Sequence, residues 1–428
     1  MAYARGALAL SVAAFTALAT VAVAAAAALP AAAVAAPADD GGGGPCTFPS
    51  KPYAGRPWAL QRVLLDELWH RSTGRGVEVA VIDTGVDLKN AQLKGAVDAS
   101  RGRNLLPRDL KDPSGRALPR GAENGTTDTV GHGTKVAGII AARPADGTGF
   151  VGLAPGATII PVQQNDAEGH GTTRTLADAI RYATGVGADV INISQDTAKA
   201  VEPAGTLRQA VDAALARNIV VVASAGNDGL GGNVKQTYPA SFPGVLAVAA
   251  SDRNNERAAF SQSGTFVGVA APGVDMVSTV PGGGHCADSG TSFSAPYVAG
   301  VAALIKAKHP RWTGREVVAQ IEQTAERSVP GRDRLVGWGV VDPVRALTED
   351  DHPIRTPVAH EGVTPARAPT PAPLHLGETD DQRTQRLATY VTVGTAVLAA
   401  ALCGAAMTLA DARRRGRRAG APPSTRFP

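Results

Sequence analysis

An α/β fold on a doubly wound, mostly parallel sheet is what three features of this 428-residue sequence predict together. Short runs rich in Val and Ile recur through its middle, stretches with helical spacing separate them, and polar residues flanked by Gly follow several of the runs. Strands interleaved with helices form βαβ units whose sheet is covered on both faces. Strands buried on both faces need continuous apolar runs, not alternation.

Residues 1–36 read as a secretory signal peptide. A lone charge, Arg5, precedes a run of Ala, Val and Leu that ends in the small residues Ala33-Val34-Ala35-Ala36, which fit a cleavage site. An uncleaved membrane anchor is the rival reading, against which stand Pro30 and the small-residue exit. Residues 37–76 form an N-terminal extension. Its Asp/Gly-rich start gives way to Phe48, Tyr53, Trp58, Leu60, Leu64, Leu65, Leu68 and Trp69. That segment is too short to fold alone and apolar enough to pack on a neighbouring domain.

Residues 77–348 form that domain. Strands are expected over 77–82, 158–162, 190–194, 219–224, 245–250 and 266–269. Helices are expected over 136–142, 176–185 and 207–217, with a long one from Ser292 to about Lys308. The stretch 88–130, rich in Asp, Arg and Gly, is expected to be an exposed loop with no assignable calcium ligands. No internal repeat is visible.

Residues 349–386 contain a Pro/Ala/Thr linker that stays extended. Residues 387–410 are uncharged and mostly apolar, long enough to cross a bilayer core of about 30 Å as a transmembrane helix. A buried core helix is the alternative, but such a helix rarely lacks a polar face over this length. Arg413, Arg414, Arg415, Arg417 and Arg418 follow, and Arg beyond a span belongs on the cytoplasmic side. The expected location is therefore the cell membrane, single-pass, with residues 411–428 as a basic cytoplasmic tail and the bulk of the chain outside.

The net charge of +4 comes from these ends, which leave residues 37–386 weakly acidic. The basic balance is thus a property of the tail and gives no reason to expect nucleic-acid binding. Of three cysteines, Cys403 lies in the apolar span. An oxidising compartment permits a disulfide between Cys46 and Cys286, two unrelated thiols being the alternative. Such a bridge would pin the N-terminal segment beside the chain that leads to Ser292.

Three motifs carry the chemistry: Val-Ile-Asp83-Thr-Gly, Gly-His132-Gly-Thr and Gly-Thr-Ser292-Phe-Ser-Ala-Pro. Asp83 ends a strand, at the sheet edge where ligands of open α/β folds bind. His132 lies between glycines and opens an apolar helix. Ser292 sits at a helix N-terminus, where unpaired amides and the dipole favour negative charge. Each has an ordinary reading: a helix-capping or metal-binding acid, a solvated histidine, a Ser N-cap. Their order, Asp then His then Ser, is one in which a serine-protease triad is assembled. In that reading His132 takes the proton of Ser292 as it attacks a carbonyl, and Asp83 orients the imidazole. Ser-Ala-Gly-Asn227 follows a strand, and the Asn227 amide is placed to meet an oxyanion together with the backbone N–H of Ser292. By itself Asn227 before Asp228-Gly229 reads as a turn residue.

From about Gly76 to Leu347 the chain resembles the subtilisin-like serine proteases. The resemblance rests on the triad motifs, Asn227, Ala271-Pro272-Gly273 and Gly337-Trp-Gly-Val-Val-Asp342, and it implies a parallel sheet of subtilisin type. The signal segment, Pro57-Trp58…Leu64…Leu68-Trp69, the linker and the C-terminal span narrow the likeness to mycosins, the membrane-anchored subtilases of type VII secretion. It implies substrate-binding walls at Ser194-Gln195 and at Gly169 and Gly171, protein or peptide substrates, and secretion-complex subunits as partners. No cofactor and no metal are implied. One departure is Gln195-Asp196-Thr197, where many subtilases have Leu-Gly-Gly, so pocket preference stays open. His170 and His285 are read as ordinary loop histidines. Against the endopeptidase stands a mainly structural subunit of a secretion complex; a general degradative protease is disfavoured by the short N-terminal segment.

Overall fold

The computed structural model describes residues 46–112, 114–166, 171–195, 205–232, 236–359, 378 and 380–418. The expected signal peptide, Gly169, His170, Asp196 and Thr197, most of the linker and the end of the tail lie outside these residues. The chain divides into two units, Met1–Gly362 and Val363–Pro428.

In the first unit α1 (Trp58–Gln61) and α2 (Leu65–Arg71) lead to β1 (Glu78–Asp83), α3 (Ala91–Lys94) and β2 (Arg103–Asn104). Then come α4 (His132–Ala141), β3 (Thr158–Gln163), α5 (Thr173–Gly185), β4 (Val190–Ile193), α6 (Thr206–Ala216) and β5 (Val220–Ser224). β6 (Leu246–Ser251), β7 (Val267–Pro272), the strands β8 (Met276–Thr279) and β9 (His285–Asp288), α7 (Thr291–Lys308), α8 (Gly314–Thr324) and α9 (Pro343–Thr348) complete it. The sheet runs β2-β3-β1-β4-β5-β6-β7, every neighbouring pair parallel, with β8 and β9 as a separate antiparallel pair. From β1 the chain first fills one side of the sheet, with β2 at the edge and β3 next to β1, then crosses to β4 on the other side and runs outward to β7. The carboxyl end of β1, where Asp83 sits, is therefore a topological switch point.

Strand periodicity decides which face each residue serves. Val79 and Val81 join the cluster with Val136 and Ile140 of α4 and Val298 and Val301 of α7. Ala80 and Ile82 join Leu176 and Ile180 of α5 and Leu207 and Val211 of α6. Asp83, two residues beyond Val81, falls on the α4/α7 face. Each fully buried Val, Leu or Ile contributes about 1.5–3 kcal/mol, which fixes this assignment. α7 is buried along most of its length, from Phe293 to Ile305, so it is apolar all round rather than on one stripe.

Start signals are local and clear. The Thr172 hydroxyl accepts from Thr175 N–H to cap α5, and Thr313 with Glu316 forms a capping box on α8. Asp342 caps α9 ahead of Pro343 at its first position. The N-terminal segment is packed against the domain: Leu68 is fully buried, and the indoles of Trp58 and Trp69 donate to the carbonyls of Val274 and Leu153.

The expectation for residues 88–130 is overturned. Residues 88–130 are not a plain exposed loop: they contain α3 and β2, which extends the sheet. They also bury Asn90, Leu93, Leu106, Leu110 and Asp128. Polar composition hid this because several of the buried side chains are themselves polar and satisfied by backbone groups, as when Asn104 donates to the carbonyl of Arg120.

The second unit contains α10 (Asp380–Arg418). Its Asp380–Arg415 portion is long and apolar enough to cross a membrane, with mean hydropathy 1.9 in its most apolar window.

Candidate active site

Asp83 leaves the sheet fully buried, and its Oδ1 lies 2.7 Å from Nδ1 of His132. The same oxygen accepts from the Thr84 N–H. His132 is the first residue of α4, and two glycines permit its position. Gly131 ahead of it has φ 83°, a left-handed conformation open to Gly. A Cβ on Gly133 would lie 2.1 Å from the carbonyl oxygen of Gly85 and 3.1 Å from Cβ of Asp83. Only Gly lets the first turn of α4 approach β1 this closely.

The imidazole is a quarter exposed, with its second nitrogen on the side away from Asp83. Burial works to lower its pKa, but the charge and hydrogen bond of Asp83 outweigh this, with a further push from Asp128 against Lys135. The net result is a pKa above the ordinary imidazole value. Lys135 is itself held by Asp288 at 2.9 Å.

Ser292 is the second residue of α7 and is half-buried. The N-cap is Gly290, with no side-chain cap, so Ser292 is not spent on capping and the ordinary Ser N-cap reading is set aside. Next to it, the Phe293 ring lies 5.4 Å from the imidazole, centroid to centroid. The structure thus brings the Ser292 turn beside His132, while among the described residues no hydrogen bond joins the Ser292 hydroxyl to the imidazole. Hydrogen bonds of this type are commonly long in unliganded sites and tighten on binding.

Asn227 follows β5 and is exposed. Its Oδ1 accepts from Thr291 N–H at 2.9 Å and from the Thr291 hydroxyl at 3.0 Å. With the oxygen committed there, the Nδ2 donor is turned to the serine loop: a Cβ on Gly290 would be 3.5 Å from it and 3.7 Å from the Ser292 nitrogen.

Of the expected substrate walls, Ser194 is buried and its hydroxyl accepts from Asn192 Nδ2 at 2.9 Å. Gln195 is half-buried and pairs through its carboxamide with Gln164 just beyond β3. Gln164 in turn accepts from the Thr175 hydroxyl at 3.2 Å. Gly171 N–H donates to Asn165 Oδ1. Gln164, Asn165 and Thr175 were not singled out from sequence; their place after β3 and at the start of α5 is the signal that could have found them. Asp128 was missed as well. A cavity of about 860 Å³ lies at the opposite, amino-terminal edge of β5 to β7, lined in part by Phe242, Phe266, Trp338 and Arg332. Asp83, His132, Asn227 and Ser292 do not line it.

Cys46 and Cys286 form a disulfide. His285 is not a loop histidine: it is a buried residue of β9, with Nδ1 accepting from Tyr53 N–H at 3.0 Å and Nε2 2.6 Å from Gln92 Oε1. Among the described residues no group of His, Cys, Asp and Glu side chains could hold a metal ion.

The family model described as the subtilase family matches residues 74–339. The chain is 37% identical over 288 residues to Subtilisin Savinase of Lederbergia lenta, an alignment covering 67% of this chain and 96% of that protein. It is 39% identical over 290 residues to Subtilisin E of Bacillus subtilis, covering 67% and 70%. Among solved structures it is similar to the MycP3 protease from the type VII (ESX-3) secretion system, with TM-score 0.61, 33% identity and coverage of 71% and 90%. MycP1 from Mycobacterium smegmatis gives TM-score 0.58, 32% identity and coverage of 74% and 92%.

Proposed function

The chain belongs to the subtilase family of serine peptidases, and from that membership we propose that it is a membrane-anchored endopeptidase whose triad is Asp83, His132 and Ser292. The observation that carries the reading is the 2.7 Å bond from Asp83 to His132 at the carboxyl end of β1, beside the α7 turn that bears Ser292.

The chemistry follows from proton accounting. His132 Nε2 removes the Ser292 proton as Oγ attacks the peptide carbonyl, and Asp83 holds the Nδ1–H tautomer and stabilises the imidazolium. The oxyanion meets Asn227 Nδ2 and the Ser292 N–H, a first-turn amide with no intrahelical acceptor. His132 then gives the proton to the leaving amine, and water hydrolyses the acyl-enzyme by the same route. Ser194, Gln195, Gly169 and Gly171 are the proposed substrate contacts.

α10 would anchor the protein, with the Arg-rich end on the cytoplasmic side and the protease unit outside. The related MycP3 and MycP1 are proteases from type VII secretion systems, and we assign this chain a role in such a system, acting on secreted proteins or complex subunits. The alternative is a mainly structural subunit. The two are separated by comparing Ser292→Ala with deletion of the chain, scoring secretion and cleavage. Loss of secretion in both supports a proteolytic role, and loss on deletion alone supports the structural one.

A further inference from the structure

Asp128 lies four residues before His132, is 5% exposed, and has no part in the reaction above. Its two oxygens accept five hydrogen bonds. Oδ1 receives the Thr84 hydroxyl at 2.9 Å, Val130 N–H at 3.1 Å and Gly131 N–H at 2.8 Å. Oδ2 receives Thr134 N–H at 2.9 Å and its hydroxyl at 2.6 Å. The Thr84 oxygen accepts Gly133 N–H at 2.9 Å.

These bonds converge on one place. Gly131 is the N-cap of α4 and supplies no side-chain cap. The orphan amides of the first turn are met instead by Asp128 (Thr134) and, one link away, by Thr84 (Gly133). Thr84 directly follows Asp83 at the end of β1, so the same carboxylate ties the strand end carrying Asp83 to the helix start carrying His132. Among its five hydrogen-bond contacts there is no lysine or arginine and every donor is neutral; burial raises its pKa on balance, while these hydrogen bonds and the positive end of the helix favour the carboxylate.

We propose that Asp128 is a positioning residue for the imidazole, locking the first turn of α4 against the end of β1 so that His132 keeps its bond to Asp83 and feels a second negative charge. This rests on the triad reading. The charged groups facing His132 are Asp83 from β1, Asp128 from the preceding turn and Lys135 from α4 itself, the last paired with Asp288 of β9; from α7 the uncharged Phe293 ring lies 5.4 Å away. Removing the charge of Asp128 therefore lowers the pKa of His132.

Asp128→Asn keeps the shape but turns an NH2 toward at least one backbone N–H, since either oxygen position faces one. The readout is the second-order rate of labelling by a fluorophosphonate, followed against pH on the full-length protein in detergent. Asp128→Asn is expected to slow labelling about 10- to 100-fold, the scale of a small misplacement of the base, and to move the acid limb down by roughly half a pH unit. Thr84→Val cuts the link and leaves the charge. It is expected to slow labelling with the limb unmoved, and it decides the matter if Asp128→Asn does not fold. Wild-type rate and pH profile in a folded Asp128→Asn, or a wild-type rate in Thr84→Val, overturns the proposal. A wild-type protein that does not label at all overturns the triad reading instead.

Discussion

Nδ1 of His132 meets Oδ1 of a fully buried Asp83 at 2.7 Å. A carboxylate in that position raises the imidazole pKa against the lowering effect of burial. Only the neutral ring can accept a proton from Ser292. Hydrolysis should therefore fall away on the acid side through a pKa above about 6.5, the ordinary imidazole value. In Asp83→Asn that limb should move to lower pH while kcat drops by on the order of 10⁴, the loss measured for the corresponding change in another serine-protease triad. A pH–rate profile of both proteins on a fluorogenic peptide checks it; an unshifted limb with near-normal kcat contradicts it.

Asn227 holds Thr291 with its oxygen and leaves its NH2 facing the serine loop. In Asn227→Ala the N–H and hydroxyl of the fully buried Thr291 lose their acceptor, so stability should fall by about 1–3 kcal/mol. Catalysis should drop by about 10²–10³ in kcat with KM nearly constant; that magnitude is measured in subtilisin itself, a relative of this chain. Steady-state kinetics beside a thermal melt separates the two effects.

The bridge between Cys46 and Cys286 closes a separation of 240 residues. Around it Ser50 N–H donates to the Gly283 carbonyl and His285 N–H to that of Lys51. Cys46→Ser should lower stability by about 2–5 kcal/mol and expose the segment before Trp58 to added protease, without moving Asp83 or His132. Limited proteolysis followed by mass spectrometry would find the new cuts there; cuts elsewhere, or none, count against it.

His285 sets a pH limit on the same segment. Its Nδ1 must be bare to accept Tyr53 N–H, so Nε2 carries the proton toward Gln92, and burial pushes the pKa down to about 4. The unfolded chain binds that proton more readily. The stabilisation is therefore complete above about pH 6.5 and is lost as pH falls toward 4. Hydrogen exchange at the Tyr53 amide should accelerate between pH 6 and 4, after correction for intrinsic rate, and protection that stays flat refutes the assignment.

Much of this site was legible because its parts are local in sequence. Asp83 ends a Val/Ile run, His132 sits between glycines, and Ser292 precedes an apolar helix, so strand-end and helix-start positions follow from a few neighbours each. What stayed hidden depends on tertiary closure. Asp128 looks like one polar residue among many until β1 and α4 are brought together. Gln164 meets Gln195 only because β3 and β4 flank β1. His285 gains its partners from Tyr53 and Gln92, which lie far away in the chain. The hairpin of β8 and β9 was missed because its residues, such as Ser278 and Thr279, bury hydroxyls against backbone carbonyls of α4 instead of showing an apolar run.

The most direct test is to react the protein with a fluorophosphonate and locate the adduct by peptide mass spectrometry, beside Ser292→Ala and His132→Ala. An adduct on Ser292 in the wild type, absent from Ser292→Ala and nearly absent from His132→Ala, is the predicted result. A folded wild-type protein that takes no label, or takes it on another side chain, contradicts the account.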